Sequence, residues 1–506
     1  MTGHGARSLV RSGPTINPFS IAVGVFAIAL IIVGVWRLEA DRAGLLVERA
    51  SVGTTPVTFY AKAGAEAAPL VVVTHGFAGS RPLMEPYALA LAQAGYAVAS
   101  FDFEGHGRNP VPMSGDVESV RGTTQLLIDE TVRVMDAGLA RPETDGRVAI
   151  LGHSMASDII VRTAARDDRI GTVIAISAFS QAVTETEPAR FLMITGQWEE
   201  RLREFAVEAL RMVDSQAQEG ETAQSPDGAI IRRAFVAPSV EHVGVLYSPA
   251  GIREAVGWLN DAFDRTEAPD VPLRIGWIYL VLSGTVILMW PLAKLVPQAA
   301  VPHVGLSPVL FFAALLVPLV AVPLAAIWMP RGILPVLVAD YLALHMLLYG
   351  VIQLAILRFV GLRVTGLALV VGALLAAYGI GVFGLALDRY VANFMPHSGR
   401  LLIIAALALG ALPYMMADSA MAHAHPQLWR RALIRLAFLG SLGIAVALDF
   451  ERLFFLILII PVIALFFLVF GLMGRWVEAR AGPLASGLGL GILLAWSLGV
   501  TFPMFT

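Results

Sequence analysis

The stretch Leu151-Gly152-His153-Ser154-Met155-Ala156 places a serine with a small residue two positions away on either side. It follows a short apolar run, Arg147-Val148-Ala149-Ile150, and precedes Asp158-Ile159-Ile160-Val161-Arg162, which has helical character. A serine on a strand-to-helix turn can act as a nucleophile. Its hydroxyl reacts poorly near neutral pH, so it needs a base to take the proton and a third group to hold that base in the right tautomer. The plainer reading is a small residue in a turn.

What surrounds Ser154 is set by composition. The chain has 506 residues, 57% hydrophobic and 15% charged, with mean hydropathy +0.71. A soluble domain carries roughly 25% charged residues, so much of this chain is expected in lipid. The net charge of -3 gives no basic excess for phosphate neutralisation, and no nucleic-acid partner is expected. The cysteine count is 0, which excludes disulfide and thiolate chemistry.

Three regions follow from the uneven apolarity: a tail and apolar segment over 1–44, a mixed-polarity region over 45–268, and a lipid-like region over 269–506. Phe19 to Trp36 is uncharged and long enough to cross a bilayer once. Arg7 and Arg11 precede it, but Arg37-Leu38-Glu39-Ala40 offers no small-x-small cleavage site, so it reads as an uncleaved signal anchor. After Pro269 and Pro272, spans are expected near 273–293, 306–328, 333–357, 365–387, 401–417, 436–448, 453–473 and 484–503. The stretch 436–448 is short for a crossing. With a cytoplasmic N-terminus, the inside receives Arg7, Arg11, Lys294, Arg358, Arg363, Arg430, Arg431, Arg435, Arg475 and Arg480, and the outside only Arg331, Arg389, Arg400 and Arg452. That bias sends 45–266 to the non-cytoplasmic face, the periplasm of a bacterial inner membrane.

Within 45–266 strands and helices alternate. Leu70-Val71-Val72-Val73-Thr74 is a run suited to a strand buried on both faces. Further strands are expected at 96–102, 147–151, 172–176, 191–195 and 229–236, with helices at 83–94, 122–139, 155–166 and from about Ser248 to 263. Such alternation predicts an α/β class with a mostly parallel, doubly wound sheet, whose chemistry lies beyond the C-terminal strand ends.

These residues resemble the α/β-hydrolase family over about 200 residues. His75-Gly76-Phe77 is similar to the oxyanion-loop motif after the third strand. Asp102-Phe103-Glu104-Gly105-His106-Gly107 is similar to the turn after the fourth. Gly152-His153-Ser154-Met155-Ala156 is similar to the nucleophile elbow, with Ala156 where a glycine is usual.

The resemblance implies Ser154 as nucleophile, with the backbone N–H groups of Phe77 and Met155 as oxyanion donors. Losing such a donor costs on the order of 3 kcal/mol of transition-state stabilisation. It implies His242 as the base, because that residue follows the last strand and precedes a helix; His75, His106 and His153 belong to the turns already assigned. For the acid it points to Gly196-Gln197-Trp198-Glu199-Glu200, where Glu199 holds the acid position and Glu200 stands beside it. Both glutamates also suit the first turn of a helix, and Glu185 and Glu187 are the fallback. No cofactor and no metal are implied.

The loop Ser177 to Ala189 is too short for the helical lid that many members insert there, leaving an open cleft or one covered by another segment, such as 201–228 or the membrane domain. In the lipid-like part, Asp340 and His345 fall inside a span, and Asp418, His423 and His425 at the end of another. Burying such groups is costly, which makes them functional candidates. Both sets read Asp-x4-His, a spacing that does not put the pair on one helix face. Asp388 with Arg389 reads as ordinary loop charge. The expected function is a membrane-anchored serine hydrolase acting on an acyl ester or lipid-like substrate. The competing class is a transporter-like or scaffold protein with a non-catalytic, ligand-binding hydrolase-like domain.

Overall fold

The computed structural model describes residues 10–13, 15–116, 119–268, 271, 273–299, 305–326, 328, 332–357, 365–424 and 427–506. Arg7, Arg331, Arg358, Arg363 and His425 lie outside the described residues, as does the side chain of Arg11. The chain separates into two compact units. One comprises Gly34–Tyr279 with Asp388–Asn393 and Pro503–Thr506; the other comprises Met1–Val33, Leu280–Leu387 and Phe394–Phe502.

A 23-residue apolar helix, Pro18–Ala40 (α1), leads into the first unit. That unit is built on a sheet with nine strands among the described residues. In chain order they are β1 (Leu45–Val52), β2 (Thr55–Lys62), β3 (Ala68–Thr74), β4 (Ala97–Phe101), β5 (Thr144–His153), β6 (Ile170–Ile176), β7 (Arg190–Gly196), β8 (Thr222–Gln224) and β9 (Ile231–Ala237). Across the sheet the order is β1-β2-β4-β3-β5-β6-β7-β9-β8. From β4 to β9 every pairing is parallel; β1–β2, β2–β4 and β9–β8 are antiparallel. The helices of the unit are α2 (Arg81–Gln93), α3 (Gln125–Leu139), α4 (Met155–Ala164), α5 (Glu200–Arg211) and α6 (Pro249–Phe263).

β3 is buried from end to end, and so is β4. Their β-branched and apolar runs need cover on both faces, which the helices of an α/β fold provide. The expected α/β sheet is therefore present, with three strands beyond the sequence reading. β1 and β2 form a hairpin about Gly53, whose φ of 59° is the left-handed conformation glycine takes without strain. β1 alternates between half-buried and exposed positions and carries Glu48 and Arg49, so it lacks the apolar run that marks the central strands. β8 is three residues on the far edge.

The second unit is helical. Nine helices among the described residues are long and apolar enough to cross a membrane, the composition of a multi-pass membrane protein. After α1 they are α7 (Arg274–Ala293), α8 (Pro308–Ala326), α9 (Ala339–Leu357), α10 (Gly366–Tyr390), α11 (Leu401–Ala424), α12 (Leu428–Leu448), α13 (Leu456–Ala481) and α14 (Pro483–Thr501). The doubtful stretch 436–448 belongs to a 21-residue helix that starts at Leu428. Arg430, Arg431 and Arg435 lie in its first turns, where charge hides the helix from a hydropathy count without breaking it. For the same reason α11 runs past 417 and takes Asp418 and His423 inside the helix.

Asp388 and Arg389 are not solvated loop charges. Arg108 Nη2 donates to Asp388 Oδ2 at 2.5 Å, and Arg389 Nη2 donates to Glu39 Oε2 at 2.6 Å. The segment Asp388–Asn393 is thereby part of the sheet-bearing unit, and Asn393 N–H also donates to Ser80 Oγ at 3.0 Å.

Candidate active site

β5 ends at His153 and α4 begins at Met155, so one residue makes the turn between them. That residue, Ser154, has φ 55° and ψ -117°. A non-glycine residue held there costs of order 1–3 kcal/mol and persists only where its surroundings impose it. Here the Ser154 N–H donates to Ile176 O at 2.9 Å. A Cβ on Gly152 would stand 2.7 Å from Thr74 Oγ1 and 3.0 Å from Ala156 O, so the first small residue of the motif must be glycine. Ala156 is fully buried, and its methyl group fits where a glycine is usual.

His242 comes from the loop after β9 and faces Ser154. Its Nε2 lies 2.8 Å from Ser154 Oγ, the hydroxyl donating, and its Nδ1–H donates to Glu199 Oε1 at 2.6 Å. Glu199 lies three residues beyond the end of β7 and immediately before α5. Its second oxygen accepts from the Gly196 N–H at 2.6 Å and from Ser177 Oγ at 2.8 Å. Burial opposes its charge, but the bonds from His242, Gly196 and Ser177 outweigh burial and hold the carboxyl below the ordinary glutamate range. The ring of His242 stays open, with its side chain 45% exposed, while that of Glu199 is 5% exposed. Of the two adjacent glutamates, Glu199 meets the histidine and Glu200 is exposed in the first turn of α5. Glu185 and Glu187 are exposed on the loop after β6.

The His75-Gly76-Phe77 loop presses on the same elbow. A Cβ on Gly76 would lie 2.9 Å from Ser154 Cβ and 3.0 Å from His153 O. Phe77 thus follows a glycine in contact with Ser154, and Met155 opens α4, where N–H groups have no intrahelical partner. His75 is fully buried, its Nδ1–H donating to Gly76 O at 2.8 Å and its Nε2 accepting from Phe103 N–H at 3.1 Å. Burial pushes its pKa down, so it is a neutral strut between two loops rather than a base.

Three contributions were not read from the sequence. Ser177, with φ 51°, ends β6 and supplies a donor to Glu199; its position after an apolar strand is the signal that could have found it. His153 Nε2–H donates to the carbonyl of His242 at 2.8 Å, and burial lowers its pKa to about 3. The third is the segment Met504–Thr506. Met504 N–H donates to Gly105 O at 2.9 Å, Met113 N–H to Met504 O at 2.8 Å, and Thr506 N–H to Met113 O at 2.9 Å. Phe505 is buried with its ring 6.4 Å from that of Phe77. Nothing in the sequence links residues some 400 positions apart.

Apolar side chains rim the triplet. Phe179, two residues beyond Ser177, is 56% exposed, and Trp198, beside Glu199, is 66% exposed. No lid helix lies between β6 and β7; the loop Ser177–Ala189 holds only turns and bends.

Residues 65–225 match the family model described as serine aminopeptidase, S33. A curated relative, an uncharacterized 31.7 kDa protein in the traX-finO intergenic region of Escherichia coli, is 26% identical over 154 residues, covering 29% of this chain and 52% of that protein. The chain thus spans about half the length of the curated relative it matches. Among solved structures, a dienelactone hydrolase from Anabaena variabilis is 19% identical, covers 43% of this chain and 98% of its own, and has a TM-score of 0.33. A membrane phospholipase A, described as a bacterial virulence factor, is 15% identical, covers 48% of this chain and 96% of its own, and has a TM-score of 0.32. Residues 65–225 thus carry the serine aminopeptidase, S33, pattern on an α/β-hydrolase-type sheet, and that match supports a hydrolase.

Proposed function

We propose that the chain is a membrane-anchored serine hydrolase that cleaves an ester or related acyl bond. The observation that carries this reading is the bonded series from Ser154 Oγ through His242 to Glu199. Ser154 Oγ attacks the acyl carbon while His242 Nε2 takes its proton, and Glu199 stabilises the imidazolium through Nδ1–H. The oxyanion that forms is met by the N–H groups of Phe77 and Met155. His242 then returns the proton to the leaving oxygen, and water repeats the sequence on the acyl-enzyme.

Exposed Phe179 and Trp198, close to Ser177 and Glu199 in the chain, and the absence of a lid helix in the loop between β6 and β7 favour an apolar acyl group and a lipid-like substrate. The arginine bias of the loops supports a periplasmic hydrolase unit on a bacterial inner membrane. An amide bond is the second reading, favoured by the aminopeptidase in the matched family's description. Turnover of p-nitrophenyl esters of rising acyl length, set against aminoacyl p-nitroanilides, separates the two. The proposal predicts ester turnover that Ser154→Ala abolishes; no turnover of either series by folded protein contradicts it.

A further inference from the structure

In hydrocarbon an unmet polar group is expensive, and a charged one in a bundle core is normally paired in full. Around Asp418 several groups depart from that rule together. Asp418 on α11 is 1% exposed, and neither carboxylate oxygen has a hydrogen-bond partner among the described residues. Arg435 of α12 stands 3.5 Å away, long for a charge-assisted bond. The hydroxyls of Tyr414, one turn earlier on α11, and of Tyr349 on α9 are buried and unpartnered, and so is the amide oxygen of Gln353, one turn on from Tyr349. The two tyrosine rings meet edge to face with centroids 5.8 Å apart. A Cβ on Gly350 would collide with the backbone of Pro413 and Tyr414, so α9 and α11 touch at the main chain and hold these groups in one place.

The polar column continues in both directions. On one side His423 Nδ1 lies 3.1 Å from Glu478 Oε1, and Arg431 lies 3.6 Å from the same oxygen. On the other, His345 bonds Tyr341 Oη through Nδ1 and Ser441 Oγ through Nε2, each at 3.1 Å. Tyr414 and His423 are separated by about 14 Å along α11, roughly half the thickness of a bilayer's hydrocarbon. The charged and titratable groups around Asp418 are Arg431 and Arg435 from α12, Arg475 and Glu478 from α13, Tyr349 from α9, and His423 and Tyr414 from its own helix. The sequence of α14, which also packs on α11, contains no charge.

Unmet acceptors on Asp418 and Gln353 and unmet hydroxyls on two tyrosines, carried by α9 and α11, have the composition of a site for small molecules that donate and accept at once. Water is such a molecule, since a buried water takes two to four such partners. We propose that the membrane unit holds a proton-exchange site at Asp418, reached by water along the polar side chains of α9, α11, α12 and α13. A hydronium ion gives its proton to the Asp418 carboxylate and leaves as water; the carboxylic acid returns the proton to water on the other side, with no other bond made or broken. Arg435 close by offsets the charge of the empty carboxylate.

The test is proton entry into phosphatidylcholine and phosphatidylglycerol vesicles that contain the full chain and trapped pyranine, with potassium and valinomycin clamping the potential. After an external acid step, wild-type vesicles are expected to acidify at least about tenfold faster than protein-free vesicles. Asp418→Asn, which cannot take a proton, is expected to return the rate to that of protein-free vesicles. Wild-type entry no faster than through lipid alone, or an unchanged rate in Asp418→Asn, overturns the proposal. Should Asp418→Asn not fold, Tyr414→Phe removes one hydroxyl without changing shape, and a rate at least about threefold lower is expected; a wild-type rate in that variant overturns the proposal equally.

Discussion

His153 Nε2–H donates a hydrogen bond of 2.8 Å to the main-chain carbonyl of His242, joining the residue before the elbow serine to the histidine that faces it. This bond fixes the backbone from which the His242 ring reaches Ser154. His153→Leu removes the donor, and kcat for an ester is expected to fall by about 10- to 100-fold with little change in KM, since small misplacements of a catalytic group carry costs of that size. His153→Gln keeps a donor and should restore most of the loss. Steady-state kinetics on both variants checks this, and equal kcat in the two would remove the positioning role.

Glu199 and Glu200 differ by one position and by contact: Glu199 meets His242, and Glu200 is exposed. Glu199→Gln leaves the His242 ring without a carboxylate and is expected to lower kcat by about 10⁴-fold, the cost of losing the correct tautomer. Glu200→Gln should leave kcat within about twofold, the behaviour of a surface charge. Ser177→Ala takes one of three donors from Glu199, so its carboxyl moves up toward the ordinary range. The acid side of the pH–kcat profile is expected to move to higher pH, as the carboxylate is then lost earlier on acidification.

Acid should weaken the hydrolase unit through its buried imidazoles. Burial holds His75 below the ordinary histidine range and His153 at about 3. His153 remains neutral in the fold while the unfolded chain takes up protons below about pH 6.5, so it costs up to about 1.4 kcal/mol per pH unit below that point, and His75 acts in the same direction. Glu130 works in the opposite sense. Burial raises it to about 7 despite bonds from Thr55 and the Glu104 N–H, so it gains stability on acidification from 7 toward the unfolded value. The two effects oppose each other between about pH 7 and about pH 5, so acidification across that range is expected to lower the thermal midpoint more in Glu130→Gln than in wild type, and less in His153→Gln. A pH dependence unchanged in both variants would contradict these assignments.

The segment Met504–Thr506 braces the Gly105 turn through its main chain and meets Phe77 through the Phe505 ring. Met504→Pro removes the N–H that bonds Gly105 O, and Phe505→Ala removes the ring beside Phe77. Under the proposed mechanism each is expected to slow ester turnover by about 3- to 10-fold, Phe505→Ala by loosening Phe77 directly and Met504→Pro by loosening the Gly105 turn whose His106 ring packs on Phe77, near the net worth of one hydrogen bond or aromatic contact. Phe505→Leu should retain most of the wild-type rate. Inhibition by a boronic acid, which places a negative oxygen in the same position, should weaken in parallel with kcat.

The central strands and the Ser154 elbow were legible because local rules write them: a β-branched run buried on both faces, then small residues flanking a serine. His242 and Glu199 were legible only through resemblance, since their meeting depends on loops from two strands converging at one end of the sheet. The β1–β2 hairpin was not, because an edge strand alternates without an apolar run. Nor were the His153 clamp, the Ser177 donor or the Met504–Thr506 brace, all of which are contacts between segments distant in the chain. In the membrane unit, arginines at the start of α12 masked a full-length helix, and Asp418 read as an end residue until the helix was seen to continue past it.

The most direct test of the central claim is labelling of the full-length protein in detergent by a fluorophosphonate, which reacts only with an activated serine. Wild type should label at one site, mapped by mass spectrometry to Ser154, and label at least about 10³-fold faster than His242→Ala. Folded wild-type protein that does not label, or labels equally in Ser154→Ala, would contradict the assignment of Ser154 and His242 as nucleophile and base.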